Sequence, residues 1–134
     1  MLRILGKYGI FADRVELWGT GKPLREFLWS EEMADASVYV LERVDFKDTY
    51  DAGVRDIRNC HINIGTGKEL TIAALADLIK RTVGYAGTIR FDASKPDGTM
   101  RKLTDVSKLH ALGWHHQIEI EEGVGRLYQW YLQH

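Results

Sequence analysis

The sequence predicts a small α/β fold, with an α+β arrangement as the alternative. Three observations predict it. Short extended segments alternate with helical periods along the chain. One segment, about 72–83, carries a full apolar helical stripe between a capping residue and a glycine stop. The strand candidates are few and brief, so the sheet is small and the helices pack on it.

The elements follow in order. Leu2, Ile4 and Leu5, with Tyr8, fit a short helix or its tail ending among Gly6 and Gly9. Val15 to Trp18 reads as a strand halted by Gly19-Thr20-Gly21 and Pro23, and Arg25 to Trp29 as extended chain. Ser30 is placed to cap a helix over about 31–44, with Glu31 and Glu32 opposing the dipole in its first turn. Its apolar face would be Met33, Val40, Leu41 and Val44, with small Ser37. Residues 45–60 are polar and irregular, which predicts a loop. His61 to Ile64 predicts a strand ending at Gly65.

Thr71 can cap the helix at 72–83, whose stripe is Ile72, Leu75, Ala76, Ile79 and Val83. Gly84 stands where a left-handed C′ residue belongs. Thr88 to Phe91 is another strand, and Pro96-Asp97-Gly98 a turn signal. Asp105 or Ser107 starts a short helix ending at Gly113. A last helix covers about 121–132, with Val124, Leu127, Tyr128 and Tyr131 inward and Gly123 and Gly125 weakening its first turn.

The 134 residues suit a single domain, burying roughly two thirds of its unfolded surface. A formal net charge of −1 excludes a global field that would draw nucleic acid or an anionic membrane. No apolar run reaches bilayer length. The start, MLRILGKYGI, lacks a signal-peptide pattern. Cys60, the one cysteine, excludes an internal disulfide and fits a reducing, cytoplasmic setting.

Several motifs invite chemistry and lack its spacing. Gly-Thr-Gly-Lys occurs at 19–22 and 65–68, but Pro23 and Glu69 follow where a P-loop needs Ser or Thr for magnesium. Gly6-x-x-Gly9-x-x-Ala12 imitates a dinucleotide fingerprint without a convincing preceding strand. No tyrosine has a lysine four residues on. His61, His110, His115, His116 and His134 form no metal-ligand spacing, and neighbouring Cys60 and His61 would point to opposite faces of a strand.

What remains is a set of dispersed residues: Trp18, Arg25, Asp97, Arg101 and Lys102. Arg25 and Lys102 suit diphosphate oxygens, by planar fork and compact charge respectively. Trp18 offers a flat face for a sugar or base, and Asp97 an acceptor for hydroxyls. The same residues also suit a solvated loop and a core tryptophan.

LWGTGKPLREFL, INIGTGKELTI and FDASKPDGTMRKLTDVSKLHALGW closely resemble the C-terminal part of the GDP-L-fucose synthase family, from about Val15 to Leu132. These are extended short-chain dehydrogenase/reductases that epimerise and reduce GDP-4-keto-6-deoxy-D-mannose. The resemblance makes residues 1–134 a GDP-sugar-binding C-terminal portion, with the N-terminal NADP-binding Rossmann portion mostly absent. It implies that Trp18, Arg25, Asp97 and Lys102 contact the GDP-linked deoxyhexose, with Arg101 beside them. Met100 departs from the family, where a proline is familiar.

In the family the NADPH-binding glycines, the Ser/Tyr/Lys set and the Cys/His pair precede the matched region, and Cys60 does not match that cysteine. The chain alone is therefore expected to bind no NADPH and to be inactive. It is also expected to self-associate or to dock with the missing N-terminal portion, because exposed apolar surface and strand edges favour association. A portion of another nucleotide-sugar epimerase or dehydratase, or a non-catalytic binding module, are the alternative readings.

Overall fold

The structure, a computed structural model, describes residues 13–51, 53 and 55–134. The expected helix tail and the Gly6/Gly9/Ala12 pattern lie outside the described residues. Along the described chain run β1 (Arg14–Trp18), β2 (Leu24–Arg25), α1 (Ser30–Arg43), a 3₁₀ turn (Phe46–Thr49), β3 (Leu70–Thr71), α2 (Ile72–Thr82), β4 (Thr88–Asp92), β5 (Arg101–Lys102), α3 (Ser107–Ala111) and α4 (Ile120–Gln133). Helices and small sheets alternate, as the sequence predicts. The chain divides into two compact units: residues through Leu24 with Leu70–Arg101, and Arg25–Glu69 with Lys102–His134.

In the first unit β1 and β4 pair in parallel, Val15 opposite Ile89 and Trp18 opposite Asp92. Val15 and Leu17 turn inward while Arg14, Glu16 and Trp18 face out, the two-residue alternation of a half-covered strand. A parallel pair needs a crossover, and α2 precedes β4 in that role. Thr71 caps α2 as expected, its hydroxyl accepting from the Ala74 amide at 3.0 Å. Gly84 ends it at φ +67°. Ala76 and Leu78 are its buried residues.

After β1 the chain turns through Gly19 and Gly21, both at positive φ. Gly21 is needed for space as well: a Cβ there would lie 2.6 Å from the Phe91 ring. Beyond the turn, the Leu24 amide donates to the Met100 carbonyl at 2.8 Å, and the Ile72 amide to the Pro23 carbonyl at 3.0 Å. These bonds belong to a ribbon of strand order β3-β2-β5.

The second unit is built on Ala36, Leu109 and Trp114, with Leu28, Tyr39, Val40, Ile62 and Ile64 packed around them. Trp114 satisfies its indole N–H on Asp35 at 2.8 Å. The Tyr39 hydroxyl donates to the Leu112 carbonyl at 2.7 Å. The final helix enters with Gly123 buried beneath Trp29.

Several local features differ from the sequence expectations. Ser30 is the first helical residue, and Trp29 occupies the cap position without a side-chain bond. The face of α1 that packs inward runs through Ala36, Tyr39 and Val40, so Met33 and Leu41 are exposed. His61–Ile64 makes no strand ladder, although Ile62 and Ile64 still pack into the core. In α4, Leu127 and Tyr131 face solvent.

Candidate functional site

Trp18, Asp97 and Arg101 stand in the first unit, Arg25 and Lys102 in the second. The first unit brings Trp18 and Asp97 to either side of one turn. The Gly19 amide donates to the Asp92 carbonyl at 2.9 Å, which carries the β1–β4 ladder one step past Trp18. The loop leaving β4 then delivers Asp97 to Thr20. The Thr20 amide donates to Asp97 Oδ1 at 2.6 Å and the Thr20 hydroxyl to Oδ2 at 2.7 Å.

The Thr20 amide, then its hydroxyl, hold the Asp97 carboxyl below its ordinary range, and nearby Lys22 adds to this. Asp97 thus stays ionised and spends one lone pair of each oxygen on its own chain. Trp18 is 73% exposed beside this turn. Lys95 places its ammonium 5.6 Å from the ring centroid, within cation–π range. Sequence reasoning passed over Lys95; its place one residue before Pro96, in the same loop as Asp97, was the available signal.

In the second unit Arg25 and Lys102 lie on the neighbouring strands β2 and β5. Arg25 is half-buried and Lys102 exposed. Arg101, on β5, is exposed and belongs to the first unit.

A second residue that sequence reasoning missed is Glu26. Its Oε1 accepts from the amides of Thr66 at 2.6 Å and Gly67 at 2.7 Å, and from the Thr66 hydroxyl at 3.3 Å. Its Oε2 accepts from the Thr104 amide at 3.1 Å. Partial burial alone would raise its pKa, but hydrogen bonds from Thr104, Gly67 and Thr66 outweigh that and lower it. Gly65 is required for the approach, since a Cβ there would sit 2.5 Å from Oε1.

The second Gly-Thr-Gly-Lys is therefore an anion-binding nest of backbone amides, filled by a carboxylate of its own chain. Those amides would suit a pyrophosphate, but Glu26 already holds them. Among the described residues no group of three or more His, Cys, Asp and Glu side chains is placed to hold a metal ion. No described helix is long and apolar enough to cross a membrane.

Residues 3–65 match the NAD dependent epimerase/dehydratase family. The chain is 48% identical over 122 residues to the GDP-L-fucose synthase of Escherichia coli (strain K12), an alignment covering 91% of this chain and 37% of that protein. Among solved structures it is similar to a GDP-6-OMe-4-keto-L-xylo-heptose reductase from C. jejuni, at 43% identity and TM-score 0.86 over 98% of this chain and 37% of that one. A GDP-D-glycero-L-gluco-heptose synthase from Campylobacter jejuni, solved in the presence of NADPH, aligns at 42% identity and TM-score 0.80, over 97% of this chain and 36% of the other. The chain thus spans little more than a third of the length of these relatives. Over nearly its whole length the chain is thus similar, in sequence and in backbone, to about a third of a GDP-L-fucose synthase and of GDP-sugar reductases.

Proposed function

We propose that this chain is the substrate-binding portion of a GDP-L-fucose synthase, in which GDP-4-keto-6-deoxy-D-mannose is epimerised at C3 and C5 and reduced at C4. In that complete enzyme NADPH supplies the hydride. The part of the present chain is to bind and orient. Trp18 lends a flat face to base or sugar, and Asp97 turns its remaining lone pairs to hydroxyls. Arg25 and Lys102 neutralise the diphosphate, with Arg101 beside them. Contacts to GDP far from the reacting carbons hold the sugar ring in place, so binding energy at one end lowers the barrier at the other.

The observation that supports this best is the exposed Trp18 next to an ionised Asp97 that is fixed by two short hydrogen bonds. A core tryptophan and a mobile loop aspartate would show neither. The lone cysteine agrees with a reducing, cytoplasmic setting.

The test is calorimetric titration of the full chain with GDP, UDP and GDP-mannose. GDP preference is expected, and Arg25→Ala and Lys102→Ala each weaken it about tenfold or more, as loss of a charge-assisted contact does. Preference for UDP would favour a related nucleotide-sugar epimerase, and absence of nucleotide binding would remove the reading.

Self-association belongs to the same proposal. The outer side of α4 shows Leu127 and Trp130 each 56% exposed, with Tyr131 and Leu132 beside them. A second copy covers this apolar side when the chain is alone, and the remainder of the enzyme when it is present. Sedimentation over a range of concentrations detects the first; a monomer at every concentration would contradict it.

A further inference from the structure

Glu26 joins three stretches of chain far apart in sequence. The partners are Thr66 and Gly67, about forty positions on, and Thr104, 78 positions on. Each proposed cation of this unit sits next to one of those anchor points. Arg25 immediately precedes Glu26, and Lys102 lies two residues before Thr104, on the strand beside β2. The geometry points to Glu26 as a positioning residue: its carboxylate sets the spacing of Arg25 and Lys102, and so the fit of this pair to a nucleoside diphosphate. The inference rests on the nucleotide-sugar reading above.

The physical case begins with the acceptor count. The Thr66 and Gly67 amides and the Thr66 hydroxyl converge on Oε1, the Thr104 amide reaches Oε2, and the Thr104 side chain also bonds the carboxylate. Only an ionised carboxylate accepts at both ends. A glutamine of the same size presents one oxygen and one amide nitrogen. Whichever way it turns, its N–H₂ meets a backbone N–H, donor against donor. Aspartate keeps the charge but is shorter by one methylene, so it cannot span Thr66 and Thr104 together.

The second part of the case is preorganisation. Long cationic side chains lose considerable freedom on binding, and a diphosphate tolerates little error in the spacing of two partners. Strands of two residues each cannot hold that spacing alone. The clasp does so from behind, without touching the ligand. It also explains why an anion-binding nest near a phosphate site carries a carboxylate: the occupied nest keeps its shape whether or not nucleotide is bound.

Two variants reach the clasp by different routes. Glu26→Gln removes the second acceptor, and Gly65→Ala drives a methyl group into Oε1 while leaving every charge in place. Two measurements on the full chain decide the matter. Amide hydrogen exchange without nucleotide should accelerate at Thr66, Gly67 and Lys102–Thr104 in both variants. Calorimetry with GDP should show affinity lower by about tenfold, with a shallower dependence on salt because fewer cations engage the phosphates together.

A merely structural Glu26 would lower the melting temperature and leave both the GDP affinity of the folded protein and its salt dependence unchanged. That result overturns the inference. If wild-type chain binds GDP and the variants bind it equally well, the positioning role alone falls. If wild-type chain binds no GDP, the nucleotide-sugar reading falls and takes the positioning role with it. Unchanged exchange at Thr66, Gly67 and Thr104 would remove the clasp itself. Should Glu26→Gln fail to fold, Gly65→Ala carries the same comparison.

Discussion

Asp97 and Thr20 are bound to each other twice, amide to Oδ1 at 2.6 Å and hydroxyl to Oδ2 at 2.7 Å, across 77 positions of sequence. This pairing fixes the loop after β4 against the turn after β1, and with it the surroundings of Trp18. It leads to the first prediction. Thr20→Val keeps the amide bond and loses the hydroxyl bond; Asp97→Ala loses both. Exchange at the Thr20 amide should therefore rise only slightly in the first variant and strongly in the second, with GDP affinity falling in the same order. Because the folded pKa of Asp97 is depressed, the stabilisation is complete above the ordinary carboxylate value. It is lost as pH falls through the folded value. Acid titration of the melting temperature should show this loss in wild type and a weaker one in Asp97→Ala.

A second prediction separates two glycines at positive φ. At Gly84 (φ +67°) a Cβ meets nothing within 4 Å, so Gly84→Ala costs backbone strain alone, about 1 kcal/mol. At Gly21 (φ +73°) the same strain is joined by a clash with the Phe91 ring at 2.6 Å. Overpacking of that kind adds about 1–3 kcal/mol. Denaturant unfolding should therefore place Gly21→Ala well below Gly84→Ala; equal midpoints would show that Phe91 yields without cost.

What the sequence disclosed, and what it withheld, follows from the range of the forces involved. Both ends of helix α2 were legible, because Thr71 and Gly84 are local signals, but the expected stripe included Ala76 and omitted the other buried residue, Leu78. Strands β1 and β4 were legible from alternation and turn residues. The inward face of α1 was not, because polar residues help to choose it. Glu32 accepts from the amides of Gln117 and Ile118, and Asp35 from Trp114. A stripe counted by hydrophobicity alone rotates away from such partners. His61–Ile64 has strand composition, yet a ladder requires a partner that no local pattern announces. Trp18, Arg25, Asp97, Arg101 and Lys102 stood out by residue type, and motif resemblance gave them an expected common role. Glu26 escaped because a nest of amides reveals that it wants an anion, not which anion will fill it.

The third prediction concerns the core of the second unit. Leu109 is fully buried against Ala36 and Trp114. Truncation to alanine removes its contacts and leaves a cavity, so Leu109→Ala should cost about 2–5 kcal/mol in a denaturant titration. Trp114→Phe keeps most of the apolar bulk and loses the indole bond to Asp35, whose exposed carboxylate water can solvate, so it should cost only about 1 kcal/mol. If Leu109→Ala costs no more than a surface substitution, the core has been misplaced.

The last prediction is a pH dependence centred on His110. Its ring stacks on that of His115, with centroids 4.2 Å apart, and its Nε2 is buried with no hydrogen-bond partner among the described residues. Desolvation first, and then the like charges of His115 and His116, push its pKa below the ordinary imidazole value of 6.5. Among the described residues, Glu119 lies 3.4 Å from His116 Nε2, and Lys68 pairs with Glu119. Lys108 lies on the same helix as His110. Lys68 holds Glu119 ionised. The sign is then fixed. Below pH 6.5 the unfolded chain takes up a proton that folded His110 resists, so stability falls as pH drops from 6.5 toward the folded pKa and then levels. Thermal melts between pH 7.5 and 5 should show this decline, and His110→Gln, which cannot titrate, should flatten it. An equally steep decline in the variant would show that His110 is not its source.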